Sequence, residues 1–220
     1  MPAGHWLEIR TGRLVLRQWW QRRRLLEQSW QQQRYIALDC ETSGLDPAQD
    51  KLLALAWVEL RPPLMDFSTT AYHVFATADT DLKQSPVVHG LVQRDFIAHS
   101  DPVTALQQLQ AVLEGAVLVC HHVQLDWQFL RRAAERHQVK LQPLALIDTL
   151  QLEARRLRNQ QHHLPRGSLT LARCRQRYNL PDYAAHHALS DAIACGELFL
   201  AQAYRFAGRA NVAVREFVTK

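Results

Sequence analysis

Four acidic residues and one histidine stand in three separated segments of this 220-residue chain and could share one site. They are Asp39 and Glu41, then Asp126, then His186 and Asp191. Carboxylates brought to one point repel each other strongly unless cations lie between them, and carboxylate oxygens are ligands that Mg²⁺ prefers. If the fold brings these segments together, the sequence predicts a divalent-metal site.

The first three acidic residues follow apolar runs that are typical of buried strands. Asp39 and Glu41 end the run at 35–38, and residues i and i+2 of a strand point to the same face of the sheet. Both carboxylates can therefore bind the same pair of ions. Asp126 follows a second apolar run, 116–120, and begins an amphipathic stretch, which predicts a strand, a turn and the start of a helix. That order places Asp126 near the carboxyl end of a strand.

Asp191 lies in a stretch whose apolar residues recur at helical spacing between 188 and 199, so that one face of this helix would pack on a sheet. His186 precedes Asp191 by five residues, a separation of about 140° around an ideal helix. We therefore expect His186 to sit just before the first helical turn, where its ring can reach over the metal site.

Three motifs occur in the same order as in a known enzyme family. They read Ile-Ala-Leu-Asp-Cys-Glu-Thr-Ser-Gly-Leu-Asp-Pro at 36–47, His-His-Val-Gln-Leu-Asp at 121–126 and His-His-Ala-Leu-Ser-Asp at 186–191, with supporting segments at 88–91, 147–150 and 168–178. Over residues 35–205 the chain resembles the DEDDh 3′-to-5′ exonucleases, a family that includes the proofreading epsilon subunit of bacterial DNA polymerase III and ribonuclease T. It departs from the family pattern at His122, where Asn is usual, and at Leu125, where Phe is usual.

The resemblance implies a reaction that the charges also favour. Two Mg²⁺ or Mn²⁺ ions roughly 4 Å apart stabilise the attacking and leaving oxygens of an in-line phosphoryl displacement. The implied ligands are Asp39, Glu41, Asp126 and Asp191. The ordinary pKa of histidine, about 6.5, suits His186 as the general base that takes a proton from water. The expected product is a 5′-mononucleotide released from a 3′ end.

The resemblance also implies a set of residues that bind the substrate. They are Thr42, Ser43, Gly44, Leu45, His89, His122 and Trp127. For His89, an ordinary loop histidine is a nearly equal alternative. His187 competes with His186 for the role of base, but the five-residue spacing to Asp191 matches the family only for His186.

Two further groups of residues suggest other metal chemistry. His121, His122, His162 and His163 raise the possibility of zinc, but no Cys-x-x-Cys or His-x-x-x-His spacing accompanies them, which disfavours structural zinc. Asp148 precedes a predicted helix, and we expect it to cap that helix rather than to act as a fifth metal ligand.

The elements that must position these residues alternate between strand-like and helix-like segments. Strands are predicted at 35–40, 51–60, 71–76, 116–120 and 144–147, and a helix at 103–113. The first three strands follow at short intervals and predict a meander. The order predicts an α/β fold with a mixed β-sheet flanked by helices, and the resemblance implies the ribonuclease H-like arrangement.

The composition is that of a chain with one well-buried core, since 47% of the residues are apolar. We expect an exonuclease domain at 35–207, preceded by a basic, Trp-rich helical extension at 1–34 and followed by a short tail at 208–220. Because the chain ends about thirteen residues beyond Ala207, without the longer polymerase-binding tail of the proofreading subunit, a stand-alone enzyme is favoured over a replicase subunit.

The extension at 1–34 holds the whole positive charge excess of the chain, with seven Arg against two acidic residues. No Gly or Pro occurs from Arg13 to Tyr35, and the large apolar residues of this stretch fall on one side of a helix. They are Leu16, Trp19, Trp20, Leu26 and Trp30. Such a basic amphipathic helix suits packing on its own domain, docking a protein partner or a second copy of the chain, or binding nucleic acid or an anionic membrane surface.

A second basic cluster lies between the second and third motifs. Its members are Arg155, Arg156, Arg158, Arg166, Arg173, Arg175 and Arg177. Arginines that neutralise phosphates supply affinity without sequence preference, which a nonspecific exonuclease requires, although a solvated helix face would look similar.

The cysteine pattern and the hydropathy indicate the compartment. Cys40, Cys120, Cys174 and Cys195 lack paired spacing and are expected to be reduced, mostly buried thiols. The chain contains no run of eighteen apolar residues and no apolar signal-peptide core near Met1, so we expect a cytoplasmic location without a transmembrane segment.

Single-stranded or frayed DNA 3′ ends are the substrate that we expect. RNA 3′ ends are the first alternative, because no motif here reports contacts with the 2′-hydroxyl group. A noncatalytic, polymerase-associated module that binds nucleic acid is a second alternative, and the complete set of four carboxylates and one histidine argues against it.

Overall fold

A computed structural model describes residues 19–75, 99–159, 164–183, 186–208 and 210–219 of the protein. Its strands are β1 (Tyr35–Thr42), β2 (Leu52–Arg61), β3 (Leu64–Val74), β4 (Val117–Cys120) and β5 (Leu146–Asp148). Its helices are α1, described from residue 19 to 26, α2 (Pro102–Leu113), α3 (Val123–Arg136), α4 (Thr149–Arg158), α5 (Leu171–Gln176) and α6 (Ala188–Ala207).

The five strands form one mixed sheet in the spatial order β3-β2-β1-β4-β5. The first three strands pair antiparallel, as expected for strands joined by short connections, whereas β1, β4 and β5 pair in parallel. Helix α3 provides the crossover from β4 to β5. The predicted α/β fold, the meander and the mixed sheet flanked by helices are therefore confirmed.

Two strands begin two or more residues away from their predicted starts. The third strand begins at Leu64, seven residues before the predicted start at 71. It lies at the edge of the sheet. Leu64 and Phe67 are exposed there, so the first half of β3 shows no clear alternation of buried and exposed residues. The fifth strand covers Leu146–Asp148, two residues after the predicted start at 144.

Helices cover both faces of the sheet, and the alternation of side chains along β1 decides what each face receives. Tyr35 packs against Phe199 on the face covered by α6. Leu38 belongs to the core on the opposite face, which α2 and α3 cover. Because Asp39 and Glu41 have the same parity as Tyr35, their side chains point to the α6 face at the carboxyl end of β1.

Gly196 allows α6 to approach the sheet closely. A β-carbon at this position would lie 2.8 Å from Cε of Met65, 3.1 Å from Cβ of Ala37 and 3.2 Å from Cδ2 of Leu60. A side chain here would push the helix away from the strands. The same helix carries Asp191, so this contact helps to set how close that carboxylate comes to β1.

The N-terminal helix differs from its prediction. The pattern predicts one helix whose apolar side runs from Leu16 to Trp30, but the described helical residues end at 26. Trp19 and Trp20 have exposed fractions of 51% and 61%, whereas Trp30, beyond the helix, is only 1% exposed. The prediction of a single apolar stripe is therefore wrong, because these tryptophans do not share one environment.

Contacts with the C-terminal segment explain why α1 stops before Trp30. The backbone N–H of Trp30 donates a hydrogen bond of 2.9 Å to the carbonyl oxygen of Val212, and Ser29 forms a β-bridge with Ala213. The Trp30 ring packs against Phe217, with the ring centroids 6.0 Å apart. Burying these rings contributes more than another helical turn would. The predicted domain boundaries stay a prediction, and side chains from both flanking segments enter one core.

The cysteines and the helices match two simpler expectations. All four cysteines are free thiols; Cys120, Cys174 and Cys195 are buried, and Cys40 is partly buried. Among the described residues, no helix is both long enough and apolar enough to cross a membrane.

Candidate active site

Three of the four predicted carboxylate ligands converge at the carboxyl end of β1. One carboxylate oxygen from each of Asp39, Glu41 and Asp191 lies within 4.8 Å of the other two. Asp39 and Glu41 come from β1, and Asp191 comes from the first turn of α6. Hard oxygen ligands from three side chains at this separation fit a divalent cation.

The fourth predicted ligand, Asp126, lies beside this group. It is buried in the first turn of α3, where the backbone N–H of Cys40 and the thiols of Cys40 and Cys120 form hydrogen bonds with its carboxylate. The charge of Asp126 raises the pKa of Asp39. Asp126 therefore belongs to the same electrostatic cluster, although the oxygens that meet within 4.8 Å are those of the other three residues.

Burial and mutual repulsion raise the pKa values of the clustered carboxylates. Burial raises the pKa of Asp39 well above its usual range, and the charges of Asp126, Asp191 and Glu41 raise it further. Burial and the charge of Asp191 raise the pKa of Glu41 to about 7. A bound cation would lower these pKa values, because an adjacent opposite charge favours the ionised form. The cluster is thus arranged to receive a positive ligand.

Small residues around the cluster let its elements approach each other. Asp39 pairs with Ala56 across the β1–β2 ladder, and Ala56 belongs to a buried group that also contains Ala188 and Ala192 of α6. Because four of the five buried residues of this group are alanines, the start of α6 lies close to the strands. This packing brings Asp191 to the end of β1.

His186 lies just before α6, as predicted, with a φ of 66° in the left-handed region. Its backbone N–H donates a hydrogen bond of 3.0 Å to Oδ2 of Asp191. The charge of its side chain lowers the pKa values of both Glu41 and Asp191, which places the imidazole near the carboxylates. His187 is the N-cap residue of α6, and its ring packs against Tyr72 with the centroids 4.8 Å apart. The two neighbouring histidines therefore have different surroundings.

Four of the predicted substrate-binding residues, at 42–45, form a tight loop next to the carboxylates. The hydroxyl of Thr42 donates a hydrogen bond of 2.7 Å to the carbonyl oxygen of Gly44, and the hydroxyl of Ser43 donates one of 3.2 Å to Asp50. A β-carbon on Gly44 would lie 2.4 Å from the Asp50 carboxylate, so a larger residue would displace it. Leu45 is 77% exposed at the tip. The loop thus presents an apolar side chain beside the site.

His122 lies at the N-cap of α3, exposed, with a φ of 83°. Its backbone N–H donates a hydrogen bond of 3.0 Å to Oδ1 of Asp148. The same oxygen accepts hydrogen bonds from the N–H groups of Leu150 and Gln151 at the start of α4. The prediction that Asp148 caps this helix is therefore confirmed.

His121 has no ring nitrogen free to bind zinc. Its Nδ1 lies 2.8 Å from the hydroxyl of Thr149, and its Nε2 lies 2.9 Å from the carbonyl oxygen of Leu169. Burial lowers the pKa of His121, so the ring is neutral and donates through one nitrogen while it accepts through the other. Three other predicted positions lie outside the described residues, namely His89, His162 and His163.

The comparison with protein families agrees with the convergence of these residues. A family model described as an exonuclease, RNase_T, matches residues 36–199, a span that includes the four carboxylates and His186. The chain belongs to this exonuclease family. It is thus a nuclease-family protein, and the site described above is the part of the exonuclease where its acidic motifs meet.

Relatives of this chain include bacterial DNA polymerase proteins. A DNA polymerase III subunit epsilon-like protein of Rhodobacter capsulatus is 29% identical over 76% of this chain and 23% of its own length. A PolC-type DNA polymerase III of Thermotoga petrophila is 23% identical over 79% of this chain. The match spans 12% of that polymerase, so this chain corresponds to a small part of the relative.

Solved structures share the fold of the exonuclease. The cell-death related nuclease CRN-4 matches with a TM-score of 0.64 and 15% identity, covering 80% of this chain and 64% of that chain. Exonuclease I of E. coli, in a zinc-bound complex with single-stranded DNA, matches with a TM-score of 0.64 and 16% identity. That match covers 80% of this chain and 41% of exonuclease I. At these identities the likeness establishes the fold.

Trp127 occupies a different part of the exonuclease from the carboxylates. It lies in α3 and packs against the core on the α2 and α3 face, as does Leu146 of β5. It also lines a groove together with Trp19 and Leu25 of α1. The structure thus gives Trp127 a packing role between α3 and α1, and its predicted contact with substrate stays a prediction.

Arg175 holds the segment that leads to His186, a role that sequence reasoning missed. It is only 2% exposed, and it donates hydrogen bonds of 2.7 Å to the carbonyl oxygen of Pro181 and to the carboxylate of Glu197 in α6. Its guanidinium lies 4.7 Å from the ring centroid of Tyr183, whose hydroxyl donates to Glu197. These contacts tie α5, α6 and the residues before the histidine together.

Two members of the predicted basic cluster, Arg175 and Arg177, are held by contacts within the fold. Arg175 is buried, and Arg177 pairs with Glu153 at 3.4 Å and donates to the carbonyl oxygen of Ser168. The interpretation of these two arginines as phosphate-binding is wrong, because carboxylates and carbonyl groups of the fold already surround them. The sequence offered one indication that Arg175 is buried: it adjoins Cys174, a residue type that is usually buried, and the structure shows both to be buried in α5.

Proposed function

We propose that this chain is a metal-dependent 3′-to-5′ exonuclease that releases 5′-mononucleotides from single-stranded or frayed DNA ends. The observation that carries the proposal is the convergence of oxygens from Asp39, Glu41 and Asp191 within 4.8 Å. Carboxylates that a fold forces together at its own cost in repulsion indicate a cation that relieves it. The complete motif set argues against a noncatalytic module.

The donor set fits Mg²⁺ or Mn²⁺, because every candidate ligand is a hard carboxylate oxygen. Asp39, Glu41 and Asp191 would hold the cations, with Asp126 as the fourth carboxylate of the same cluster. Bound divalent cations supply Lewis acidity, activation of water and stabilisation of charge on the transferring phosphoryl group. The protein itself contributes the rigid end of β1, the buried first turn of α3 and the closely packed start of α6.

We assign His186 as the group that accepts a proton from the attacking water. The charges of both His186 and His187 lower the pKa of Asp191, but only that of His186 also lowers the pKa of Glu41, and His187 packs against Tyr72. These differences favour His186 for the place beside the attacking water. The backbone hydrogen bond from His186 to Asp191 fixes the segment on which the ring is carried. The contacts of Arg175 with Pro181 and Tyr183 support the same segment from the other side.

The DNA preference rests on the relatives. Several are named as DNA polymerase III proteins, and exonuclease I of E. coli has been crystallised with a dT13 oligonucleotide. The exposed side chain of Leu45, next to the carboxylates, gives an unpaired base an apolar surface on which to pack. A single strand whose terminal base is unstacked would use that surface.

Product analysis with 5′-labelled single-stranded DNA and a matched RNA tests the proposal. We expect a ladder that shortens from the 3′ end in Mg²⁺ or Mn²⁺, no reaction in EDTA, and faster degradation of the DNA. Glu41→Gln should abolish the ladder. Glu135→Gln is the matched control, because Glu135 is exposed on α3 and, among the described residues, its one ion pair is with Arg131 at the surface, at 3.4 Å.

Three results would contradict parts of the proposal. Cleavage that persists in EDTA would exclude the metal-dependent mechanism, and faster degradation of the RNA would replace DNA as the substrate. Equal activity of Glu41→Gln and Glu135→Gln would remove the carboxylate cluster from the reaction. The labelled products would separate these cases in one experiment.

A further inference from the structure

A second cavity lies between α4 and the C-terminal half of α6, and arginines dominate its lining. Its volume is about 340 Å³, and Arg155, Arg156 and Arg205 line it together with Tyr178 and Phe206. A volume of this order is within the range of small-molecule sites in proteins. The catalytic proposal uses none of these five residues.

Arginines outnumber carboxylates around this cavity in the part of the chain that the structure describes. Glu153 is the buried acidic partner nearby, and it already pairs with Arg156 at 2.6 Å and with Arg177 at 3.4 Å. Within the described residues, neither Arg155 nor Arg205 forms a salt bridge; Arg155 donates to the carbonyl oxygen of Glu216. Cations gathered in this way attract an anion, as the carboxylates of the first site attract a cation.

Aromatic rings stand beside the arginines. The guanidinium groups of Arg156 and Arg205 each lie 5.7 Å from the ring centroid of Tyr178, and that of Arg155 lies 5.5 Å from the centroid of Phe206. Phe206 is 56% exposed, so one side of its ring is open. An exposed ring next to a positive charge provides stacking for a flat base and charge neutralisation for a phosphate.

Gln202 supplies an independent observation. Its side chain lines the cavity and is only 5% exposed, and its Nε2 donates a hydrogen bond of 2.9 Å to the carbonyl oxygen of Thr149. Its Oε1 has no hydrogen-bond partner among the described residues. A buried acceptor without a donor is costly, and a ligand with an amino or hydroxyl group would satisfy it.

We propose that this cavity binds a nucleotide, with its phosphate on Arg155 and Arg205, its base against Phe206 and a donor group directed at Gln202. Asp191 and Gln202 are eleven residues apart on α6, about 16 Å along the helix axis, so the cavity is separate from the carboxylate cluster. The nucleotide is either free or part of the nucleic-acid strand. The strand case rests on the function proposed above, and the free case does not.

Binding measurements in EDTA test the cavity without turnover. Titration calorimetry with adenosine 5′-monophosphate probes a free nucleotide, and fluorescence anisotropy with a labelled single-stranded oligonucleotide probes a strand. The variants are Arg155→Gln and Arg205→Gln, singly and together. The matched control is Arg158→Gln, which makes the same charge change on α4 but lies outside this cavity. Circular dichroism confirms that each variant is folded.

For a free nucleotide, we expect saturable binding that the double variant weakens by at least about tenfold and the control leaves unchanged. Phe206→Ala should weaken the same binding about fivefold or more, because stacking is lost. For a strand, the double variant should lower the slope of binding against salt by about 0.7, since one phosphate contact contributes roughly 0.7 on single strands.

The results separate the two sources and the two proposals. Sensitivity of the mononucleotide alone assigns a free ligand, and sensitivity of the oligonucleotide alone assigns the strand. If neither probe responds to the double variant more than to Arg158→Gln, the cavity proposal is overturned, even while the wild type degrades DNA. Saturable binding of the mononucleotide in a protein without exonuclease activity would uphold the cavity and remove the proposed reaction.

Discussion

The carboxylate cluster and the arginine cavity lie on the same helix and carry opposite charge. Asp191 is in the first turn of α6 and Arg205 is in its last turn, so each charge is at the end of the helix that its dipole favours. That interaction contributes about 0.3–1 kcal/mol at each end, much less than the repulsion among charges of one sign at close range. The buried carboxylates therefore require a cation, while the exposed arginines attract an anion.

The two regions differ in how completely the fold has buried their charges. Glu41 and Asp126 are 6% and 7% exposed, and burial, followed by repulsion from neighbouring carboxylates, raises the pKa values of Asp39, Glu41 and Asp126. Arg155 lies at the surface, where its guanidinium packs over the ring of Phe206. Burial makes the ionised carboxylates of the acidic site more costly than the exposed arginines of the basic site. The acidic site therefore depends more strongly on its ligand, as a catalytic centre does, whereas the basic site is suited to binding.

The largest effect should come from removing one charge of the acidic site. Asp191→Asn keeps the shape of the side chain, but it removes a cation ligand, so we expect kcat to fall by about a thousandfold or more. Single-turnover degradation of labelled DNA in Mg²⁺ measures this. Asp182→Asn, outside the cluster, should retain full activity, and a modest change in Asp191→Asn would show that the cluster is not the catalytic centre.

The next effect separates the two neighbouring histidines. His186→Ala should lower kcat by about 10²–10⁴-fold, the usual contribution of general base catalysis, with little change in KM. His187→Ala removes the packing on Tyr72 and should cost stability more than turnover. A pH profile of kcat for both variants measures the difference. Equal losses, or a larger loss for His187→Ala, would exchange the roles of the two residues.

Metal binding should reverse the instability of the acidic site. Because the pKa of Glu41 is raised from 4.5 to about 7, the folded state binds more protons than the unfolded state between these pH values. The free energy of unfolding in EDTA should therefore fall as the pH rises through this range. At pH 8, Mg²⁺ at a hundred times its Kd should add about 2.7 kcal/mol, or about 5–10 °C in Tm.

Thermal unfolding of the wild type and of Asp39→Asn checks this prediction. The variant should be the more stable protein in EDTA at pH 8, because it lacks one repelling charge, and it should gain less from Mg²⁺. If Mg²⁺ left the Tm of the wild type unchanged, the cluster would not be a cation site.

The smallest effect should be seen at the basic end of α6. Adenosine 5′-monophosphate at ten times its Kd should add about 1.4 kcal/mol to the free energy of unfolding in EDTA. Arg205→Gln should remove most of this gain, while Arg158→Gln should keep it. An equal gain in both variants would place the nucleotide elsewhere, and the basic end of α6 would then not be a ligand site.

The sequence alone predicted the elements with a clear period and the motifs that end them. The apolar runs before Asp39 and Asp126 became β1 and β4, and the helical spacing around Asp191 became α6. Asp148 was identified as a helix cap because its side chain acts on the backbone that immediately follows it. These features depend on neighbours within a few residues, which is the range that a sequence pattern reports.

Features that depend on distant contacts could not be predicted in this way. Trp30 shares a helical period with Trp19, yet contacts with a segment more than 180 residues later in the chain end the helix and bury its ring. Arg175 and Arg155 belong to the same basic cluster in the sequence. Arg175 is nevertheless buried, because Glu197 on α6 accepts a hydrogen bond from its guanidinium, whereas Arg155 stays at the surface.

The order of residues along the chain specifies which side chains are available for chemistry and which strands and helices carry them. Tertiary structure decided which of them meet: Asp39, Glu41 and Asp191 share one end of α6, and Arg155 and Arg205 share the other. The physical reason is that the spacing of charged residues along the chain does not report their separation in space when they are far apart in sequence. Distances arise on folding: alanines and a glycine let α6 pack closely on the sheet, which brings Asp191 to the carboxylates of β1. The neighbouring positions of α4 and α6 bring Arg155 and Arg205 to one cavity.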